Sequence, residues 1–235
     1  MLLSQAHSFR QQARLAITLA WVAGYTNILT VLVCGTVTSH VTGTVSQWGL
    51  DLVQGKWSLL WLASFLLVTF VVGAVLSGVC IETGKRRMWK SIYVLPMAIQ
   101  SVLLATFATI LMQIDLEQRT SGVMLYVLSG LASIAMGLQN ATITTISGGV
   151  VRTTHMTGVF TDIGTELVHF LYWITDTVTQ KSPREAQVES LFKNRTARRI
   201  ALLVSVAGSF ALGAGLGALA FGQYPAQSMI PPVTF

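Results

Sequence analysis

Five long runs without a charged side chain limit what this sequence can fold into more than any other feature. The runs are Leu15–Cys34, Ser58–Ile81, Ser91–Ile114, Thr120–Val151 and Ile200–Gly222. A helix needs about 20 apolar residues to cross the roughly 30 Å hydrocarbon core of a bilayer, and each run has that length. A water-soluble helical domain would need helices with polar outer faces, which these runs do not supply. The sequence therefore predicts an all-α, multi-pass integral membrane protein.

Positive charge is gathered beside the apolar runs, where it predicts topology. The formal net charge is +6, and basic residues cluster at Arg10 and Arg14, at 85–90 and at 181–199. Loops rich in Lys and Arg remain in the cytoplasm. We therefore expect a protein of the cytoplasmic membrane with a cytoplasmic N-terminus and with the 115–119 loop outside. The lipid bilayer is the expected partner, and no surface suited to nucleic acid is predicted.

Two polar segments show that the chain repeats itself. Thr38-Ser-His-Val-Thr-Gly43 recurs 115 positions later as Thr153-Thr-His-Met-Thr-Gly158. The similarity extends on both sides of the motif, and the further pairs are Gly24–Asn27 with Gly137–Asn140, Asp51 with Glu166, and Phe70–Leu76 with Phe210–Leu216. Duplication of this kind is a common plan in transporters, whose sites lie where the repeats meet.

A single membrane domain over 1–235 accounts for this pattern. It has a first repeat at about 13–81, a linking span at about 90–114 and a second repeat at about 122–222, which carries a cytoplasmic insertion at about 176–199. With five spans, at about 13–34, 57–81, 90–114, 122–147 and 198–222, the first motif enters from outside and the second from inside. This arrangement gives inverted repeats. If both motifs cross fully, seven spans and parallel repeats result, and that alternative stays open.

Each motif, placed on a short helix, gathers its polar residues on one face. His40, Gly43, Gln47 and Asp51 fall at helical spacing, and the second copy repeats the pattern. We expect Ser39 and the other hydroxyl residues before each helix to cap its N-terminus. The candidate substrate-binding residues are Asn27, Ser39, His40, Thr42, Gly43, Asn140, Thr154, His155, Thr157 and Gly158. The residues expected to couple protons or to form a polar stripe are Gln47, Asp51, Asp162 and Glu166.

Two functions fit these features. The first is a small transporter or permease for a small polar or anionic solute, with its site at the repeat interface. The second is a non-transporting membrane scaffold or sensor in which the motifs lock the repeats together. No hydrolase, zinc-protease or nucleotide-binding motif is present, so we expect neither an enzyme nor a metal or other cofactor. The small-residue patterns at Gly73, Ser77, Gly213 and Gly217 predict close helix packing, within the chain or in a homodimer.

The paired segments also resemble a known family. Gly24–Asn27 with the first Thr-Gly motif, and Gly137-Leu-Gln-Asn140 with the second, are similar to the YoaK family of small, mostly bacterial, multi-pass membrane proteins. The resemblance covers about 13–222. It implies an integral membrane protein of unknown function and supplies no substrate.

Overall fold

All regular structure in the described part of the chain is helical. The computed structural model describes residues 9–89, 91–114, 120–149, 153–179 and 195–233. The helices are α1 (Phe9–Cys34), α2 (Val41–Val53), α3 (Trp57–Arg86), α4 (Val94–Leu111), α5 (Gly122–Ile146), α6 (Met156–Thr179), α7 (Arg195–Gln223), a 3₁₀ turn (Pro225–Gln227) and α8 (Ile230–Val233).

Five of these helices are long and apolar enough to cross a bilayer. They are α1, α3, α4, α5 and α7, and they correspond to the five predicted spans. Large apolar side chains such as Val68 and Leu212 lie exposed on their outer faces, as expected where lipid is the surroundings. The predicted all-α, polytopic fold is confirmed.

The two motif helices differ in length. At 1.5 Å per residue, the 13-residue α2 is about 20 Å long, whereas the 24-residue α6 is about 36 Å long. The chain leaves α2 through Gly55, whose φ of +67° favours glycine. The corresponding chain after Glu166 has no such break and continues through aromatic and aliphatic residues. The second copy of the motif therefore begins a longer helix than the short one expected.

The two helices that precede the motifs run in opposite directions. Gln12 Nε2 on α1 donates to the carbonyl of Ile146 near the end of α5, at 3.5 Å. Farther along α1, the carbonyl of Leu19 accepts a hydrogen bond from Gln139 Nε2, at 2.8 Å. Partner numbers on α5 fall as those on α1 rise, so the two helices are antiparallel.

Each of these helices also has a parallel neighbour from the other half. Ser209 Oγ on α7 donates to the carbonyl of Ile17 on α1, at 2.8 Å. Gly213, one turn later, faces the carbonyl of Trp21, also one turn later. On the other side, α3 and α5 pair in the same sense: Ser133 Oγ donates to the Leu66 carbonyl at 2.9 Å, and the Ser77 and Thr142 hydroxyls bond at 2.7 Å.

Glycines allow both parallel pairs to approach closely. A Cβ atom on Gly24 of α1 would overlap the carbonyl oxygen of Phe210 on α7. Its counterpart Gly137 on α5 stands in the same relation to the carbonyl of Phe70 on α3. Sequence matching had paired the two glycines and the two phenylalanines independently, and the structure gives both pairs the same contact. The close packing expected at Gly73 and Gly213 is confirmed as well, because a Cβ atom on Gly73 would overlap the carbonyl oxygen of Ile134 and one on Gly213 would overlap that of Trp21.

The segment after α7 folds back onto the bundle, which the sequence had not indicated. Met229 is fully buried in the core formed by α1, α4 and α5. The Tyr25 hydroxyl on α1 donates to the carbonyl of Ser228 at 2.7 Å. This contact joins the end of the described chain to the middle of α1.

Candidate functional site

An asparagine in α1 holds the start of the first motif inside the span. Ser39 Oγ donates to Asn27 Oδ1 at 2.9 Å. Asn27 lies seven residues before Cys34, so it is about 10 Å from the end of α1 along the helix axis. The chain therefore turns back after α1, and α2 begins at a depth inside the span.

The second motif is held in the same way. Asn140 Nδ2 on α5 donates a hydrogen bond to Thr154 Oγ1. Asn140 lies six residues, or about 9 Å, before the end of α5 at Ile146. Four of the predicted site residues thus form two matching pairs, Asn27 with Ser39 and Asn140 with Thr154.

The histidines fold back over the first turn of each motif helix. A Cβ atom on Gly43 would overlap the His40 imidazole at Nδ1, and one on Gly158 would meet His155 Nδ1 in the same way. Glycine is therefore required at both positions for the imidazole to lie against the backbone. Both histidines remain exposed on their outer side.

The expected capping of the first motif helix is wrong. His40, not Ser39, is the N-cap residue of α2, and its side chain makes no capping hydrogen bond. The Ser39 hydroxyl is already donated to Asn27. The polar contact to the neighbouring span thus replaced the local contact that helix propensity favours.

Both motifs divide into a buried anchor and an exposed edge. Ser39 is buried, and the asparagine-bound Thr154 is partly buried. Thr42 and Thr157 are exposed, on the same first turns as the histidines. The exposed edge supplies hydroxyl and imidazole groups beside the first backbone N–H groups of a helix, where a polar or anionic group binds well.

The two clusters lie at different depths. Helix α1 gives a common reference for the two depths. Gln139, next to Asn140 on α5, bonds to the Leu19 carbonyl of α1, so the second cluster lies at the depth of Leu19. Asn27 lies eight residues beyond Leu19, which corresponds to about 12 Å along the axis. The predicted binding residues thus form one cluster in each half, and the two clusters lie about 12 Å apart along the axis of α1.

The polar stripes of the two halves differ in charge. Asp51 is 1% exposed, its Oδ1 accepts a hydrogen bond from Gln47 Nε2 at 2.8 Å, and its Oδ2 has no hydrogen-bond partner among the described residues. In the second half, Arg199 on α7 lies 2.7 Å from Glu166 and 3.4 Å from Asp162. One carboxyl is therefore buried beside an amide, whereas its counterpart is in an ion pair.

Sequence reasoning missed three residues that shape the second cluster. Gln139 Nε2 donates to Thr153 Oγ1 at 3.0 Å, and Gln100 Nε2 on α4 donates to Gln139 Oε1 at 2.6 Å. Arg199 is the third. A signal was present for the glutamines, because each is an isolated amide in an apolar span. None was present for Arg199, since Leu59 stands at the equivalent position of the first half.

No metal site emerges within the described ranges, where no group of three or more His, Cys, Asp or Glu side chains is placed to hold an ion. Arg152, which precedes the second motif, lies outside the described residues.

Comparison with known proteins gives one match. A family model described as "Protein of unknown function (DUF1275)" matches residues 15–235, which include both motifs and all five apolar helices. No curated protein and no solved structure matches the chain.

Proposed function

We propose that this chain, which belongs to the DUF1275 family of proteins of unknown function, is a small transporter or permease for a small polar or anionic solute. The observation that carries the proposal is the doubled asparagine anchor. Asn27 and Asn140 each hold the start of a motif helix within the depth of a membrane span. Inside a bilayer, backbone that leaves the regular helix is tolerated where it is buried in protein or lines a polar cavity.

The helix starts offer a suitable binding surface. The first N–H groups of a helix have no partner within that helix, and the helix dipole is positive at this end. In this proposal, Thr42 and His40 in one half, and Thr157 and His155 in the other, supply the side-chain hydrogen bonds. An anion can be held in this way without a buried lysine or arginine.

We also propose that the two halves form an inverted repeat. The antiparallel course of α1 and α5 supports this, because these helices occupy equivalent places in the two repeats. The two parallel pairs also support it. α1 of the first half pairs with α7 of the second, and α5 of the second half pairs with α3 of the first, so exchanging the two halves converts one pair into the other. Transporters built in this way alternate access by moving one element against another around a site at the repeat interface.

For topology we propose a cytoplasmic N-terminus in the cytoplasmic membrane, following the positive-inside rule. Single cysteines at Lys56 and Lys85, in a variant with Cys34 and Cys80 replaced by alanine, would test the orientation of α3. We expect a membrane-impermeant maleimide to label the cysteine at 56 from outside and the one at 85 from inside. Labelling of both from one side, or in the reverse sense, would contradict this topology.

Transport is tested with purified protein in proteoliposomes on a solid-supported membrane, challenged with a panel of small carboxylates, inorganic anions and polar neutral solutes. We expect a solute-induced current or uptake that His40→Ala and His155→Ala each reduce at least several-fold. Thr106→Ala is the control, since the Thr106 hydroxyl is exposed and, within the described part of the chain, bonds to the Val102 carbonyl of its own helix. A panel without any response, or equal losses in the control, would overturn the proposal.

The non-transporting scaffold has one observation in its favour. Both asparagine side chains already have a hydroxyl partner, so the two anchoring contacts form without a solute. A scaffold predicts that the histidine variants leave every solute response absent and change only stability. The YoaK resemblance is compatible with either role, because it supplies no activity.

A further inference from the structure

We infer that the solute of this protein carries a hydrogen-bond donor, an O–H or N–H group, beside its anionic group, and that Gln100 Oε1 accepts this hydrogen bond. The inference rests on the proposed function and deepens it, because it names a class of solute: small hydroxy- or amino-carboxylates rather than carboxylates without a donor. The site is the second motif cluster, where α4 and α5 meet the start of α6.

Gln100 is a buried amide in an apolar span. Helix α4 has no charged residue, and Gln100 is 4% exposed. Its Nε2 donates to Gln139 Oε1 at 2.6 Å, whereas its Oε1 has no hydrogen-bond partner among the described residues. A buried amide oxygen that lacks a donor is unfavourable for the fold. A donor supplied by a bound solute would remove that cost.

The backbone of α1 fixes which atom of each amide is the donor. The Leu19 carbonyl can only accept, so the Gln139 atom that lies 2.8 Å from it is Nε2. Gln139 Oε1 is then an acceptor, and Gln100 must donate to it through its own Nε2. The Gln100 atom without a partner is therefore an oxygen. It requires a donor, which an anionic group alone does not supply.

The same two amides connect this oxygen to the start of the second motif helix. Gln139 Nε2 also donates to Thr153 Oγ1 at 3.0 Å, three residues before α6 begins at Met156. Met97, one turn before Gln100 on α4, packs in the same apolar cluster as Met156. The first N–H groups of a helix attract an anionic group. A solute held there by its carboxylate can reach Gln100 with a neighbouring donor.

Within the described ranges, the first half has no equivalent of this amide pair. Thr26 stands at the repeat position of Gln139, and Thr38, the counterpart of Thr153, bonds to the Thr30 hydroxyl at 3.4 Å. Thr26 Oγ1 also lacks a partner among the described residues, but a hydroxyl group can donate as well as accept, so it does not require a donor from a solute. We therefore expect selection for the donor group to depend on the second half.

Binding of matched probes to the full-length protein in lipid nanodiscs tests the inference. Glycolate and glycine carry an O–H and an N–H donor beside the carboxylate, and acetate carries neither. The rise of the thermal unfolding midpoint with probe concentration, followed by tryptophan fluorescence, gives the half-saturating concentration of each probe. We expect glycolate or glycine to half-saturate wild-type protein at a concentration about tenfold lower than acetate, because only they pair with the buried acceptor. The tighter of the two shows whether the donor is a hydroxyl or an amine.

Gln100→Met keeps the length of the side chain and removes the acceptor, so it should bind all three probes as weakly as wild-type protein binds acetate. Ser133→Ala is the matched control and should keep the preference, since the Ser133 hydroxyl is also buried but bonds to the Leu66 carbonyl. If Gln100→Met folds poorly, infrared spectroscopy of wild-type protein with isotope-labelled glutamine side-chain carbonyls replaces it. Glycolate or glycine should then lower the stretching frequency of one labelled carbonyl, and acetate should not.

Equal binding of the three probes by wild-type protein would overturn the inference, as would a preference that survives in Gln100→Met or is lost in Ser133→Ala. A midpoint that no probe shifts would mean that this oxygen meets only water, and stabilisation by sodium chloride that Gln100→Met abolishes would assign it to a cation. Both results would also overturn the inference. Uptake is measured separately. Equal uptake of acetate and glycolate would leave transport standing without the inference, whereas a donor preference in binding without uptake would leave the Gln100 site standing without transport.

Discussion

The two halves of the molecule agree where backbones touch and differ where charge is buried. Each half uses an asparagine to anchor the start of its motif helix, and each uses a glycine to bring a span against the backbone of another. Their carboxyls, however, have different partners: Gln47 for Asp51, and Arg199 for Glu166. Repeat symmetry has been kept for packing and has been lost at the polar stripe.

Removing a symmetric contact between backbones should have the largest effect. Gly137→Ala places a methyl group where the Phe70 carbonyl lies, so α3 and α5 must separate. We expect a loss of more than about 2 kcal/mol in the free energy of unfolding, since overpacking against backbone has no flexible side chain to yield. Unfolding in mixed micelles, followed by tryptophan fluorescence, measures it.

The counterpart variant sharpens the comparison. Gly24→Ala disturbs α1 and α7 in the same way, at the Phe210 carbonyl, and should be similarly destabilising. If one of the two substitutions is harmless, the halves are not equivalent in packing, and the symmetric description fails.

These contacts also show how far sequence reasoning reaches. Apolar runs predicted five spans, because lipid requires long uncharged helices. Matching residues predicted which glycines are equivalent, although not which helices they would join. The bond from Asn27 to Ser39 was out of reach, since it depends on the chain turning back after α1. The same is true of Arg199, which meets Asp162 only because α7 packs on α6 across the insertion.

The ion pair of the second half should have the next largest effect. Arg199→Met leaves Glu166, whose side chain is only 13% exposed, without its cation. Because Arg199 itself is partly exposed, we expect a loss of about 1–2 kcal/mol rather than the full penalty of a deeply buried pair. The double variant Arg199→Met with Glu166→Gln should recover part of the loss in the same unfolding measurement. Additive losses would mean that the two side chains do not interact.

The asparagine anchors should have smaller and equal effects. Asn27→Ala and Asn140→Ala each remove one hydrogen bond to a hydroxyl group, which is worth about 1 kcal/mol. We expect the two losses of unfolding free energy to agree within about half a kcal/mol. Thr106→Ala is again the control, and it should be near neutral. A large loss of unfolding free energy for one variant alone would mean that the anchor of that half contributes more to stability than its counterpart.

The smallest expected effect belongs to a repeated glycine that packing does not explain. Gly49 on α2 and Gly164 on α6 are repeat counterparts, and a Cβ atom on either would meet no described residue within 4 Å. Glycine in a helix interior is less stable than alanine by about 0.5–1 kcal/mol, so Gly49→Ala and Gly164→Ala should each raise the midpoint of unfolding. The same two variants in the uptake assay separate packing from function. Unchanged uptake with higher stability would leave these glycines with no role in the monomer. A fall in stability would mean that this face of the motif helices contacts a part of the protein outside the described residues, and the comparison of the two halves would have to include that part.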